Sequence, residues 1–257
     1  VISESAFQFC SHFSGSLNIP ESVLIISSGV FENCSGLSGS LIIPDSILFI
    51  YDYAFAGCSN FTGKLNINNS VTEIGQYAFY NCFGFTGLLE IPESVTHIGD
   101  YTFYGCHGFT GFLKIPDSIT SIGQYSFCGC YGFNETLYIS KNLDQIPSHA
   151  FYGCTGFIGH LNLSSISIIG DSAFNKCERF NTTLNIPYTV TSIGDSAFAN
   201  CFGFTNLVFN ASICTINNSL FESCSGFSNN LFIPQYVSKI GNYAFYRCNG
   251  FCGTLVI

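Results

Sequence analysis

Apolar residues along the chain fall into short clusters separated by Gly, Asn and Ser, and the clusters repeat. A Phe and a Cys three positions later recur at Phe7/Cys10, Phe31/Cys34, Phe55/Cys58, Phe79/Cys82, Phe103/Cys106, Phe127/Cys130, Phe151/Cys154, Phe174/Cys177, Phe198/Cys201, Phe221/Cys224 and Phe245/Cys248. The interval is 24 residues, with two of 23. A fixed period of this length is the signature of a solenoid in which each coil stacks only on its neighbours. Function is therefore expected on a repeated surface.

One unit shows the expected elements. Leu89 and Ile91 alternate with Leu88 and Glu90, which predicts a short strand closed by Pro92, a residue with no N–H to donate. Val95 to Gly99 reads as a second extended piece, with Gly99 relieving a corner. The spacing of Phe103 and Cys106 within Asp100 to Cys106 predicts one turn of α- or 3₁₀-helix. Stacked at the inter-strand distance of about 4.8 Å, eleven such coils make a rod roughly 50 Å long. The two short coils lose their residue near Ser164–Ser165 and between Phe204 and Leu207, positions read as turns.

The interior is expected to hold the Phe and Cys columns, among them Phe79, Phe103, Phe127, Cys82, Cys106 and Cys130, as a structural ladder. An odd number of equivalent cysteines has no unique pairing, and neither CxxC nor a His-rich companion is present, so buried reduced thiols are expected in preference to disulfides or a metal. Cys128, Cys214 and Cys252 stand outside the column.

Composition narrows the function further. Charged residues are 9% of the chain and the net charge is −9, spread without an acidic run. The seven Lys and Arg do not cluster, which argues against nucleic acid as a partner. No stretch approaches the roughly 18 consecutive apolar residues of a membrane span, so a membrane would be reached only through an anchor outside this segment. The chain begins and stops within repeats and reads as a fragment of a longer protein. The five His (His12, His97, His107, His149, His160) form no triad and no metal-ligand spacing, so neither catalysis nor a cofactor is expected.

The unit Leu-x-Ile-Pro-x-Ser-Val-Thr-x-Ile-Gly-x-x-Ala-Phe-x-x-Cys-x-x-Phe-Thr-Gly closely resembles the BspA-like leucine-rich repeat, in the variant typical of trichomonad surface antigens. The resemblance spans the chain and is most faithful over Leu113–Gly132 and Leu184–Phe204; the weakest copy, Leu207–Gly226, has Phe209 and Asn210 for Ile-Pro and Asn217 for the corner Gly. It implies an α/β fold, a leucine-rich-repeat solenoid over residues 1–257. There the Leu-x-Ile strand lies on the concave face, and the extended and helical segments lie on the convex side. It further implies a cell-surface, extracellular module of adhesion or host interaction.

Side-chain alternation then places a variable strip on the concave face. Between Leu88 and His160 the strip gathers Leu88, Glu90, Phe112, Lys114, Tyr138 and His160, and exposed aromatics beside charges suit ligand binding. The expected partner is a host cell-surface or extracellular-matrix protein or glycan. The bland alternative for the strip is that Phe112 and Tyr138 merely cover one another as a surface ladder; separately, the competing function is a structural or antigenically variable coat protein with no dedicated ligand. Sequons at Asn33, Asn60, Asn68, Asn134, Asn162, Asn181, Asn210 and Asn217 fit surface display, although some are expected to be hydrogen-bonding turn residues.

Overall fold

The computed structural model describes residues 2–257. Successive segments lie on one another in parallel register, so residues 24 or 23 apart become neighbours: Ile50 pairs with Ile74, Ile98 with Ile122, Leu113 with Leu137, and Leu184 with Leu207. The Phe column runs unbroken from Phe7 to Phe245, each ring stacked on the next at centroid distances of 5.3 to 6.0 Å. A second Phe column stacks beside it, as in Phe85 on Phe109 at 5.8 Å, and the two meet edge to face, as in Phe103 against Phe109 at 6.4 Å. These rings are fully buried in mid-chain. Burying each contributes roughly 1.5–3 kcal/mol, and the stacked and T-shaped contacts add to that.

Each coil has two extended pieces, and the more continuous ladder is not the Leu-x-Ile one. The corner pieces Ile25–Ile26, Phe49–Ile50, Glu73–Ile74, His97–Ile98 and Ser121–Ile122 form one five-stranded parallel sheet. The Leu-x-Ile pieces pair only in twos, such as Leu41–Ile42 with Leu65–Asn66 and Leu113–Lys114 with Leu137–Tyr138. Gly99 sits where the coils come closest: a Cβ there would lie 2.6 Å from the Gln76 backbone nitrogen.

The expected helical segment is absent, and with it the α/β class: every regular element among the described residues is a parallel strand, and Asp100–Cys106 is a run of turns. The three-residue spacing of Phe103 and Cys106 is real, since the Cys106 N–H donates to the Phe103 carbonyl at 3.1 Å. Helix is prevented because Tyr101 and Gly105 both adopt left-handed conformations, with φ of 54° and 71°. Alternate N–H groups then point to the next coil: Tyr101 to Gln124, Phe103 to Ser126 and Gly105 to Cys128, at 2.8–2.9 Å. A helix would turn those donors inward, and the coils would lose their connection on this side.

The deleted residue near Ser164–Ser165 does fall in a turn. The second does not. A strand starts there at Asn206, and Asn206–Phe209 with Thr183–Ile186 is a four-residue pair where other coils have two. Asn210, standing where other coils have proline, supplies an N–H to the Ile186 carbonyl at 2.9 Å, and Asn217 at the corner bonds the Ile193 carbonyl through Nδ2 at 2.7 Å. Among the described residues no helix is long and apolar enough to cross a membrane.

Candidate functional site

Alternation along the Leu-x-Ile segments buries Leu89, Ile91, Leu113 and Ile115 and turns Leu88, Glu90, Phe112 and Lys114 outward. Between the segments at Leu89–Ile91 and Leu113–Ile115 the strand pairing lapses, with pairs on either side at Asn66–Glu90 and Leu113–Leu137. Over this lapse lies a groove of about 590 Å³, lined by Lys64, Asn66, Leu88, Glu90, Phe112, Asn134 and Glu135. Gly87 and Gly111 form part of its wall, at φ of 80° and 81°. A Cβ on Gly111 would collide with Leu88 Cδ2, so glycine both permits the turn and keeps Leu88 in place.

The groove joins an apolar patch to both signs of charge. Leu88 and Phe112 are a little over a third exposed, Lys64 comes from the preceding coil, and Glu90 and Glu135 supply carboxylates. Asn134 is held by its Oδ1, which accepts from the Gly111 N–H at 2.9 Å, so its Nδ2 is left to face solvent. The arrangement suits a ligand with a hydrophobic body and hydrogen-bonding or charged groups at its rim.

The six sequence-derived candidates divide. Leu88, Glu90 and Phe112 line the groove; Tyr138 stands at its edge with its ring T-shaped against Phe112 at 6.0 Å. Lys114 turns to Glu93 in an exposed ion pair at 2.6 Å and leaves the lining to Lys64. His160 is exposed a coil beyond Tyr138 and does not reach the groove. Among the described residues no group of His, Cys, Asp and Glu is placed to hold a metal.

The column thiols have a defined role. Each is a donor: Sγ of Cys82, Cys106 and Cys130 lies 3.0 Å from the carbonyl of Phe55, Phe79 and Phe103 on the preceding coil, and the pattern holds from Cys34 to Cys248. Burial pushes the Cys106 thiol well above the ordinary range, which keeps it protonated and donating. Cys128 lies in a different column, buried between coils carrying Tyr104 and Tyr152, and burial pushes it up to about 11.

A third column escapes the hydrophobic pattern. Tyr53, Tyr77, Tyr101, Tyr125 and His149 stack face to face at 4.4–4.7 Å on the turn side of the rod, every one in a left-handed conformation. His107 likewise lies between Phe83 at 5.4 Å and Tyr131 at 4.6 Å. These histidines share no column with each other, but both have places in aromatic ones. The period of 24 was the available signal, with Tyr53, Tyr77, Tyr101 and Tyr125 in strict register.

Of the sequons, Asn33, Asn68 and Asn217 are committed through Nδ2, the atom that would carry a glycan: Asn33 donates to the Glu32 carboxylate, Asn68 to the Ile43, Pro44 and Ile47 carbonyls, and Asn217 to Ile193. Asn60, Asn134, Asn162, Asn181 and Asn210 are exposed.

A rod of parallel coils with leucine and isoleucine ladders on one side and stacked turns on the other is a leucine-rich-repeat solenoid. The model of the BspA type leucine rich repeat region matches residues 1–88, 72–180 and 158–251, and the chain belongs to this family. A leucine-rich repeat protein from Bacteroides ovatus is similar at 26% identity and a TM-score of 0.74, over 99% of this chain and 68% of that one. The T. pallidum leucine-rich repeat protein is similar at 26% identity and a TM-score of 0.56, over 62% of this chain and 72% of that one. No curated protein matches the chain.

Proposed function

We propose that the chain is a binding module displayed at a cell surface, which adheres to a host-cell or extracellular-matrix protein or glycan through the groove over Leu88, Glu90 and Phe112. The observation that carries this reading is the groove itself, which gathers apolar, cationic and anionic side chains from adjacent coils where strand pairing lapses. Membership of the family supports it, since the resemblance implies adhesion. So does the exposure of five sequons. The mechanism is binding without turnover: a rigid surface multiplies modest contacts, and several copies per cell add avidity. In the test, the purified chain and a Phe112→Ala/Tyr138→Ala variant are titrated onto host cells and immobilised matrix. Saturable attachment that the variant loses is expected; equal attachment by both removes the groove from consideration.

The edge-to-face contact of Phe112 with Tyr138 and the Lys114–Glu93 pair favour one second reading, a coat protein whose exposed residues satisfy each other. Absence of saturable attachment by the unaltered chain decides for it.

A further inference from the structure

The turn side of the rod carries a separate hollow. Backbone hydrogen bonds place Glu32, Ala56, Tyr80 and Tyr104 in one column on consecutive coils: their carbonyls accept from the N–H groups of Phe9, Asn33, Gly57 and Asn81 at 2.6–2.8 Å. Tyr80 rests on Tyr104 at 5.0 Å and 19°. On its other side the column has only the methyl of Ala56, so one ring is missing between Tyr80 and the Glu32 carboxylate. The space is a hollow of about 270 Å³, walled also by Asn33, Tyr53, Tyr77 and Asn81.

Two features of the hollow specify its occupant. Glu32 is half-buried and held by neutral donors, Gln8 Nε2 at 2.6 Å and Asn33 Nδ2 at 3.3 Å. The ion pairs among the described residues are Lys114–Glu93 and Lys141–Asp117, so among those residues this carboxylate meets no cation. The same column also holds cations elsewhere: Lys176 Nζ lies 5.3 Å from the Tyr152 ring centre, and the Arg247 guanidinium 5.1 Å from that of Tyr246. Tyr80 has an aromatic face, an adjacent carboxylate and no such partner.

We propose that the hollow over Ala56 binds a guanidinium group, presented as an arginine side chain by a partner protein. The space is one coil thick, about 4.8 Å, which admits a flat group. A guanidinium stacks on an aromatic face while donating to a carboxylate, and it sheds water more readily than an ammonium. This site shares no residue with the groove and stands whether or not the groove binds a ligand.

The experiment titrates acetyl-Gly-Arg-Gly-amide into the full chain labelled with ¹³C at its tyrosine rings, the Tyr80 resonance being assigned by Tyr80→Phe. Saturable movement of Tyr80 is expected, with weaker response to the lysine peptide and none to the citrulline peptide. Glu32→Gln should weaken binding by up to about fivefold, the range of a partly exposed ion pair. Ala56→Tyr should abolish binding by supplying the missing ring, and tyrosine already occupies this position at Tyr80, Tyr104 and Tyr152, so the variant is expected to fold. No movement of Tyr80, or equal binding by Ala56→Tyr, overturns the proposal. Methylguanidinium binding as tightly as the peptide overturns the partner-protein assignment in favour of a small molecule.

Discussion

The Cys130 thiol donates to the Phe103 carbonyl one coil earlier at 3.0 Å, and the same carbonyl accepts from the Cys106 N–H at 3.1 Å. The buried oxygen thus has both lone pairs satisfied, one locally and one across coils. Disulfides between neighbouring column cysteines would remove two such donors for each bond formed. Alkylation of the native chain under reducing conditions should therefore label the exposed Cys214 and Cys252 and leave Cys34 to Cys224 in the column unlabelled until denaturant is added. Peptide mass mapping checks this; rapid native labelling of Cys106 or Cys130 would contradict it.

Phe103 touches stacked rings above and below at 5.4 Å and Phe109 at its edge. Phe103→Ala should cost about 3–5 kcal/mol, because rigid neighbouring coils cannot close over the cavity. Urea titration should show a clear drop in midpoint, with hydrogen exchange faster first in the flanking coils. An unchanged midpoint would mean the column does not carry the core.

Gly99→Ala addresses coil spacing in place of core volume. Its Cβ would meet backbone atoms of Gly75 and Gln76 at 2.6–2.9 Å, which cannot rotate away. A loss of about 1–3 kcal/mol in the same urea assay is expected. A neutral result would show that the coils separate more easily than their hydrogen bonds imply.

His149 ends the tyrosine stack with its ring on Tyr125, and its Nδ1 is buried without a partner. Burial lowers its pKa from the ordinary 6.5, partly opposed by Asp171. A base with a depressed folded-state pKa leaves the unfolded chain binding more protons, so stability is intact above pH 6.5 and is lost as pH falls from there through the folded value. Thermal midpoints measured from pH 7.5 to 5 should fall less steeply in His149→Tyr than in the unaltered chain. Parallel curves would remove His149 as a source of acid sensitivity.

Much of the architecture was legible because burial acts on period. Phe and Cys three apart, repeated every 24 residues, gave the interior columns, and alternation gave the outward positions of Leu88, Glu90 and Phe112. The turn segment misled because i to i+3 spacing fits a helix and a chain of turns equally; the left-handed conformation of Tyr101, unfavourable for a side chain with a Cβ, is not written in residue type. Its cost is offset across coils, by a ring stack and a hydrogen bond to Gln124, neither of them local. The groove was half legible: alternation marks what points outward, but the lapse in pairing that makes room beside Leu88 depends on how two coils meet. Ala56 drew no notice in the sequence, since a missing ring is visible only against the column it interrupts.

The short coils show how freely this architecture tolerates changes of length. With one residue fewer, Phe151 still stacks on Phe174 at 5.4 Å and Cys177 still reaches the Phe151 carbonyl at 3.2 Å. Because each coil offers its successor the same Phe and Cys columns, duplication or loss of a whole unit leaves those interior contacts in place. Surface features drawn from two or three adjacent coils can therefore be gained or dispersed by adding or removing units, while the Phe and Cys columns that hold the rod together persist.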